Sequence, residues 1–211
     1  MTSDCHLIVF AKAPVPGQVK TRLIPSMGPL AATDLYEQLV LHCLSIAADA
    51  RVGPVDLWCI PSINHPFFLQ CARKFPVALF RQAGGDLGHR MVHAFRKTLE
   101  KTSHALLIGT DCPSLTRDDL REAAAGLRRG IDAVIGPAED GGYVLIGLRR
   151  CAPGLFAGVS WGTGSVLHQT RLRLRDLGWR WHELNEHWDV DRPEDVERLK
   201  REGFFTPVLK K

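Results

Sequence analysis

The chain of 211 residues is long enough to bury a hydrophobic core, and 45% apolar with 24% charged residues is a globular composition. A formal net charge of +4 excludes the strong field of a dedicated nucleic-acid or membrane-surface binder, but it suits an anionic small substrate. No apolar run is long enough to cross a bilayer. The first apolar run, 7–11, is too short for a signal peptide and the six cysteines form no C-x-x-C pair, so we expect a cytoplasmic protein.

Short apolar runs alternate with longer amphipathic segments along the chain, which is typical of strands alternating with helices. The predicted elements are, in chain order, strand 6–10, helix 29–50, strand 55–60, helix 66–74, strand 77–80, helix 86–100, strand 105–108, helix 116–129, strands 133–135 and 143–148, helix 164–177, strand 180–183 and helix 192–201. This order predicts an α/β fold, with a mostly parallel sheet covered on both faces and a single domain over 1–211. Thr116 is the predicted N-cap of its helix, with Asp118 and Asp119 in the first turn.

Ligands of such open sheets bind beyond the carboxyl ends of the strands, so the residues after each strand are the candidates for function. The loop after the first strand carries the cations Lys12, Lys20 and Arg22 around two prolines and a glycine. We expect it to hold phosphate oxygens. The alternative is an ordinary solvated surface loop.

The loop after the third strand is rich in glycine, with Gly84, Gly85 and Gly88 around Asp86. Adjacent glycines let the backbone approach a base or a sugar closely, so these four residues are candidate substrate contacts. The dinucleotide fingerprint G-x-G-x-x-G is not met, because Ala83 stands at its first glycine.

Asp111 follows the fourth strand, where a carboxylate suits a hard cation such as Mg²⁺ or Mn²⁺. Taken alone, Asp111 is better explained as a cap or a turn former. Asp189 and Asp191 lie on alternate residues before the last helix, so both carboxylates can face one metal. In the alternative interpretation, Asp191 is the N-cap of that helix, with Glu194 completing a capping box.

Between the fifth and sixth strands, Glu139 and Asp140 precede Gly141 and Gly142. Asp-Gly is a strong hairpin signal, so a simple turn is one interpretation. The functional interpretation is a loop in which a carboxylate and the open backbone of Gly141 and Gly142 meet an acceptor, which makes both glycines candidate substrate contacts.

Six motifs together resemble those of a known group of enzymes. They are FAKAPVPGQVKTRL, GGDLGHRM, IGTDCPSLT, GPAEDGGYVLIGL, WGTGSVLHQT and DVDRPEDV, in this order across nearly the whole chain. With them the chain resembles the nucleotide-diphospho-sugar transferase superfamily of the glycosyltransferase-A type. It is most similar to the arsenosugar-biosynthesis-type glycosyltransferases, also called radical-SAM/selenodomain-associated transferases, and more distantly to the molybdenum-cofactor and 2-phospholactate guanylyltransferases.

The resemblance implies a three-layer α/β/α sandwich with a mostly parallel mixed sheet. It implies that Lys20 contacts phosphates, that Asp111 binds the metal and that Asp191 is the second metal-side residue. Trp161, at the start of its matching segment, is assigned to substrate binding. The chain departs from the superfamily at Arg192, which replaces a threonine, and in lacking a strict Asp-x-Asp. Its first loop lacks the glycine-rich start of the guanylyltransferases.

Three functions fit these residues. The leading hypothesis is metal-dependent glycosyl transfer from a nucleotide-diphosphate sugar, with Asp111 and Lys20 at the diphosphate and Glu139 or Asp140 activating the acceptor. The second is nucleotidyl transfer that releases pyrophosphate from a nucleoside triphosphate, and the third is nucleotide binding without turnover. The expected partner is therefore a small nucleotide or nucleotide sugar. A nucleic-acid partner is not expected, because Arg171, Arg173 and Arg175 spread around their helix.

Overall fold

A computed structural model describes residues 4–204 and contains one mixed sheet with helices on both faces. The elements are β1 (Cys5–Lys12), α1 (Ile24–Ala50), β2 (Val55–Ile60), α2 (Pro66–Lys74), β3 (Val77–Arg81), α3 (Leu87–Leu99), β4 (His104–Ile108), α4 (Arg117–Arg128), β5 (Ala133–Pro137), β6 (Tyr143–Leu148), α5 (Val166–Asp176), β7 (Trp181–Glu183) and α6 (Pro193–Arg201). Short 3₁₀ helices at Thr21–Leu23 and Pro153–Leu155 precede α1 and α5.

The sheet order is β3-β2-β1-β4-β6-β5-β7, and only β6 runs antiparallel to its neighbours. All other strand pairs are parallel, which confirms the predicted mixed, mostly parallel sheet. The carboxyl ends of β1 and β4 therefore meet at one edge, together with the amino end of β6. The loops singled out from the sequence converge at this edge.

Alternate residues of β1 enter two separate hydrophobic cores, as the pleat of a strand requires. Leu7 and Val9 pack beneath α1, α2 and α4, whereas Ile8 and Phe10 pack beneath α3 and α5. A third cluster joins α1 to α6, and Trp188 and Val190 are buried in it. The first two cores lie between the sheet and the helices on its two faces, so helices, sheet and helices form the three layers of the predicted sandwich.

The predicted helix 29–50 is the main part of α1, but the structure begins α1 earlier, at Ile24. Gly28 has the non-helical dihedrals φ 80° and ψ 163°, and Pro29 follows it, so the helix kinks where the prediction began. At α4 the predicted cap is confirmed, since the Thr116 side chain accepts from the Asp119 backbone N–H and Asp119 caps in return. Among residues 4–204, no helix has both the length and the apolar composition of a membrane span.

Among the described glycines, Gly141 leaves the least room for a Cβ atom. Its φ is +84°, and a Cβ built there would lie 2.2 Å from the carbonyl oxygen of Gly164. Residue 141 must therefore be glycine for the β5–β6 turn to pack against the chain before α5.

We expect Gly141→Ala to lower the free energy of unfolding by roughly 2–4 kcal/mol, because backbone strain and a backbone clash add. Gly154→Ala is the matched control, since its Cβ would meet nothing within 4 Å and its φ is not left-handed. Urea unfolding of both variants measures the difference, and equal stabilities would contradict the proposed packing.

Candidate functional site

The side chain of Lys20 lies at the centre of the carboxyl edge and is only 4% exposed. Its ammonium is 2.7 Å from Oδ1 of Asp111 and donates to the Val190 carbonyl oxygen at 2.6 Å. Lys20 has left-handed dihedrals (φ 48°, ψ 42°), an uncommon conformation for a residue with a Cβ. One ammonium thus joins the loop after β1, the loop after β4 and the segment before α6.

Lys12 supports this loop from the end of β1. Its ammonium donates to the Gln18 carbonyl oxygen at 2.8 Å, and its backbone N–H donates to the Tyr36 hydroxyl at 2.8 Å. These contacts hold residues 13–20 back against the end of the strand. They favour a loop that is ordered by hydrogen bonds over one that is only solvated. The predicted phosphate contact of Lys12 stays a prediction.

The segment before α6 is fixed against the loop after β4. The Val190 N–H donates to the Asp111 carbonyl oxygen at 2.9 Å, and the Trp188 N–H donates to Ser114 Oγ at 3.2 Å. Trp188 and Val190 point into the core. Asp189, the residue between them, lines the two cavities described below.

Asp189 lies in a crowded acidic region. Burial, together with the charges of Asp140 and Asp111, raises the pKa of the Asp189 carboxyl to about 6, although Lys20 opposes the shift. Three carboxylates therefore share one region with one buried ammonium. Such an excess of negative charge is the environment in which a divalent cation is stabilised.

Asp191 is not the N-cap of α6, so that interpretation is wrong. Its carboxylate pairs with Arg22, and the cap is made by Asp195, whose Oδ2 accepts from the N–H groups of Asp191 at 3.0 Å and Arg192 at 2.7 Å. The capping carboxylate thus comes from inside the helix, and the side chain of Asp191 is left facing the first loop.

The turn 138–142 is a hairpin and also a wall of the site. Asp140 Oδ1 accepts from the Gly142 N–H at 2.8 Å, while the Gly141 carbonyl oxygen accepts from Leu167 at 2.9 Å. Glu139 points elsewhere and pairs with Arg198 at 2.9 Å. Of the two predicted carboxylates, only Asp140 is both free of an arginine partner in the described part of the chain and in contact with both cavities.

Two cavities meet at Asp140 and Asp189. A polar cavity of about 350 Å³ is lined by Arg22, Glu139, Asp140, Gly162, Thr163, Gly164, Trp188, Asp189, Asp191, Arg192 and Asp195. An apolar cavity of about 240 Å³ extends beneath it between α3 and α5, and Trp161 and Gly142 are among its walls. Asp140, Gly162, Thr163 and Asp189 line both cavities.

Of the glycine-rich stretch after β3, Leu87 lines the apolar cavity, whereas Gly84, Gly85, Asp86 and Gly88 line neither cavity. Asp86 caps α3 by accepting from the His89 N–H at 2.8 Å. A Cβ on Gly88 would lie 3.0 Å from Trp161 Nε1, so this glycine allows α3 to pack against Trp161. Contacts of Gly84, Gly85 and Asp86 with substrate stay predictions.

Sequence reasoning missed three residues at this edge. Thr163 and Arg192 line the polar cavity, and Gln82, which is buried, donates from Nε2 to the carbonyl oxygens of Trp58 at 2.8 Å and Ala11 at 3.2 Å. Gln82 thereby ties the ends of β1 and β2 together. The signals available in the sequence were a glutamine directly after a strand, for Gln82, and a threonine between two glycines, for Thr163.

Comparison with protein families matches residues 43–163 to the family described as "Uncharacterized protein conserved in bacteria (DUF2064)". No curated protein sequence matches the chain. Among solved structures, a "putative nucleotide-diphospho-sugar transferase" from Desulfovibrio desulfuricans G20 is 31% identical, with a TM-score of 0.87 over 96% of this chain and 88% of that one.

More distant structures share the fold at lower identity. The 4-diphosphocytidyl-2C-methyl-D-erythritol synthase of Anaerococcus prevotii is 7% identical, with a TM-score of 0.64 over 94% of this chain and 97% of that one. The protein Rv0371c of Mycobacterium tuberculosis H37Rv, solved with manganese, is 15% identical, with a TM-score of 0.55 over 94% and 98%. These likenesses establish the fold.

The raised pKa of Asp189 predicts how stability depends on pH in metal-free protein. An ordinary aspartate titrates near 3.8 and Asp189 near 6. The folded state therefore favours the protonated carboxyl. The ionised carboxylate lowers the free energy of unfolding, by an amount that grows from about pH 4 to pH 6 and is constant above pH 6. We expect Asp189→Asn to be more stable than wild type by about 1–2 kcal/mol at pH 7.5, less than the full shift implies because solvent reaches part of the carboxylate.

Denaturant unfolding at several pH values, with a chelator present, measures this difference. The stability difference between Asp189→Asn and wild type should vanish toward pH 4. The control Asp118→Asn changes an exposed aspartate paired with Arg121, and its stability difference from wild type should not change with pH in this way. A variant less stable than wild type at pH 7.5 would refute the electrostatic crowding.

Proposed function

We propose that this chain, which belongs to the bacterial family described as DUF2064, is a metal-dependent glycosyltransferase with a nucleotide-diphosphate sugar as its donor. It is a transferase with the fold of the nucleotide-diphospho-sugar transferases. The observation that carries the proposal is the position of Asp140 and Asp189, on the wall shared by the polar and the apolar cavity. The donor diphosphate would occupy the polar cavity and the acceptor the apolar one.

The polar cavity fits a diphosphate only together with a cation. Its walls carry five carboxylates but only two guanidinium groups, those of Arg22 and Arg192. Among residues 4–204, no three His, Cys, Asp or Glu side chains form a complete metal site. Mg²⁺ commonly takes one or two carboxylates and completes its shell with water and substrate phosphates, so a partial site is what such an enzyme requires.

Asp111 and Asp189 are the residues that would hold Mg²⁺ or Mn²⁺. Asp191 would join them only by giving up its ion pair with Arg22. When bound, the ion supplies charge neutralisation to the departing diphosphate.

The residues of the chain have separable roles in the transfer. The acceptor oxygen forms a bond to the anomeric carbon, and the bond from that carbon to the diphosphate breaks, with its electron pair leaving on the nucleoside diphosphate. Arg22, in the wall of the polar cavity, would place positive charge beside the leaving diphosphate, and Lys20 would act through its ion pair with Asp111, one of the two residues proposed to hold the metal. Asp140 takes the proton of the acceptor hydroxyl. Glu139 is less suited to this step, because Arg198 holds its carboxylate.

Nucleotidyl transfer is the second candidate, because the same lysine and carboxylates would serve attack on an α-phosphate. The products separate the two reactions, since this alternative releases pyrophosphate instead of a nucleoside diphosphate. Binding without turnover is the third candidate, and it predicts stabilisation by nucleotide with no product.

We expect metal-dependent thermal stabilisation by a nucleotide-diphosphate sugar and by its nucleoside diphosphate in a screen with and without Mn²⁺ or Mg²⁺. Asp111→Asn should abolish the metal dependence. Asp111→Asn and Lys20→Met should each lower kcat/KM by about 100-fold or more, the size typical of losing one preorganised charge at the transition state.

Asp118→Asn serves as the control for surface charge, because this aspartate pairs with Arg121 on α4 away from both cavities. Stabilisation only by a nucleoside triphosphate, with pyrophosphate as product, would replace glycosyl by nucleotidyl transfer. Wild-type turnover in Asp111→Asn would refute both.

A further inference from the structure

The apolar cavity differs from the polar one in both chemistry and shape. Among its walls are side chains of β1, α3, β6 and α5 and of the loop before α5, namely Phe10, Met91, Tyr143, Ile146, Val166 and Trp161. Among the described residues that line it, only Asp140 and Asp189 are charged, and both also line the polar cavity. A substrate in this cavity therefore meets apolar surface along its length and carboxylates at one end.

We propose that this cavity selects the acceptor and that the acceptor is an aromatic alcohol without an anionic group, with its ring inside and its hydroxyl at Asp140. This inference rests on the proposed glycosyl transfer and adds the chemical class of the second substrate. The hydroxyl oxygen becomes bonded to the sugar, its proton passes to Asp140, and the nucleoside diphosphate leaves.

The size of the cavity favours one ring. An engineered protein cavity of about 150 Å³ holds a benzene molecule. A volume of about 240 Å³ therefore accommodates an aromatic ring with a short side arm. Apolar walls with a few convergent polar groups are the usual construction of a small-molecule site.

The aromatic wall is fixed before any substrate enters. Trp161 packs edge-on against Tyr143, with ring centroids 6.5 Å apart at 84°, and is tilted against Phe156 at 6.5 Å. On its other side Gly88 leaves no room for even a methyl group. A rigid aromatic surface binds a flat ring without a large cost in side-chain entropy.

The charge of the walls argues against an anionic acceptor. A phosphate or carboxylate in this cavity would lie near Asp140 and Asp189, and none of the described wall residues is a lysine or arginine. Both the like charges and the lost hydration would oppose binding. The cations of the site, Lys20 and Arg22, are absent from these walls and Arg22 lines the polar cavity.

Binding of two matched probes to the full chain tests the acceptor class without donor or metal. The probes are 2-phenylethanol and 2-phenylethyl phosphate, measured by isothermal titration calorimetry at neutral pH. We expect the alcohol to bind about tenfold or more tightly than the phosphate ester. Equal or tighter binding of the phosphate ester overturns the inference.

Two variants locate the binding. Trp161→Ala should weaken binding of the alcohol about tenfold, whereas Leu172→Ala, at an exposed position of α5, should not. Leu87→Lys adds a cation at the partly exposed rim and should raise the affinity for the phosphate ester. If Trp161→Ala does not fold, Leu87→Lys decides, and an unchanged preference in that variant counts against this cavity.

The outcomes also separate this inference from the proposed function. Stabilisation by a nucleotide-diphosphate sugar, with no binding of the alcohol, refutes the acceptor class and leaves glycosyl transfer standing. Binding of the alcohol in the apolar cavity, with no response to any nucleotide-diphosphate sugar, refutes glycosyl transfer instead.

Discussion

The buried ammonium of Lys20 is the contact on which the rest of the site depends. Removing an ammonium from water costs several kcal/mol unless charged and polar partners surround it. Here the partners are the Asp111 carboxylate and the Val190 carbonyl oxygen, which come from segments far apart in the sequence. The three segments must therefore adopt their positions together, because each supplies one member of this contact. The position of Lys20 thus determines where the neighbouring carboxylates lie.

The packing behind the carboxylates explains why the acidic region persists. Trp188 and Val190 are buried on either side of Asp189, and Asp195 holds the following backbone at the start of α6. The core thereby keeps Asp189 near Asp140 and Asp111 despite their repulsion, at the expense of stability. Such a trade of stability for reactivity is common at functional sites.

The sequence was informative wherever function follows from local pattern. Within residues 4–204, apolar periodicity located the seven strands and six α-helices but not the two 3₁₀ helices, with boundary differences where β1 extends and α1 kinks at Gly28. From the rule that ligands lie at the carboxyl ends of strands, Lys20, Asp111 and Asp189 were predicted to share one edge of the sheet.

Contacts between elements far apart in the sequence could not be predicted from local patterns. The pairing of Asp191 with Arg22, the capping by Asp195 and the packing of Gly88 on Trp161 depend on how separate elements dock. The apolar cavity was missed for the same reason.

The reversed direction of β6 has a consequence for how such a site can diversify. Because β6 runs against β4 and β5, the connection from β5 needs no crossover and turns back within 138–142, at the edge that holds Lys20. This short turn forms the partition between two compartments, while the lysine loop belongs to β1 on the far side of β4. Because residues of this turn line both compartments, an insertion in it would reshape both at once while leaving the lysine loop after β1 in place, so one hairpin can alter the substrate space without disturbing the buried ion pair.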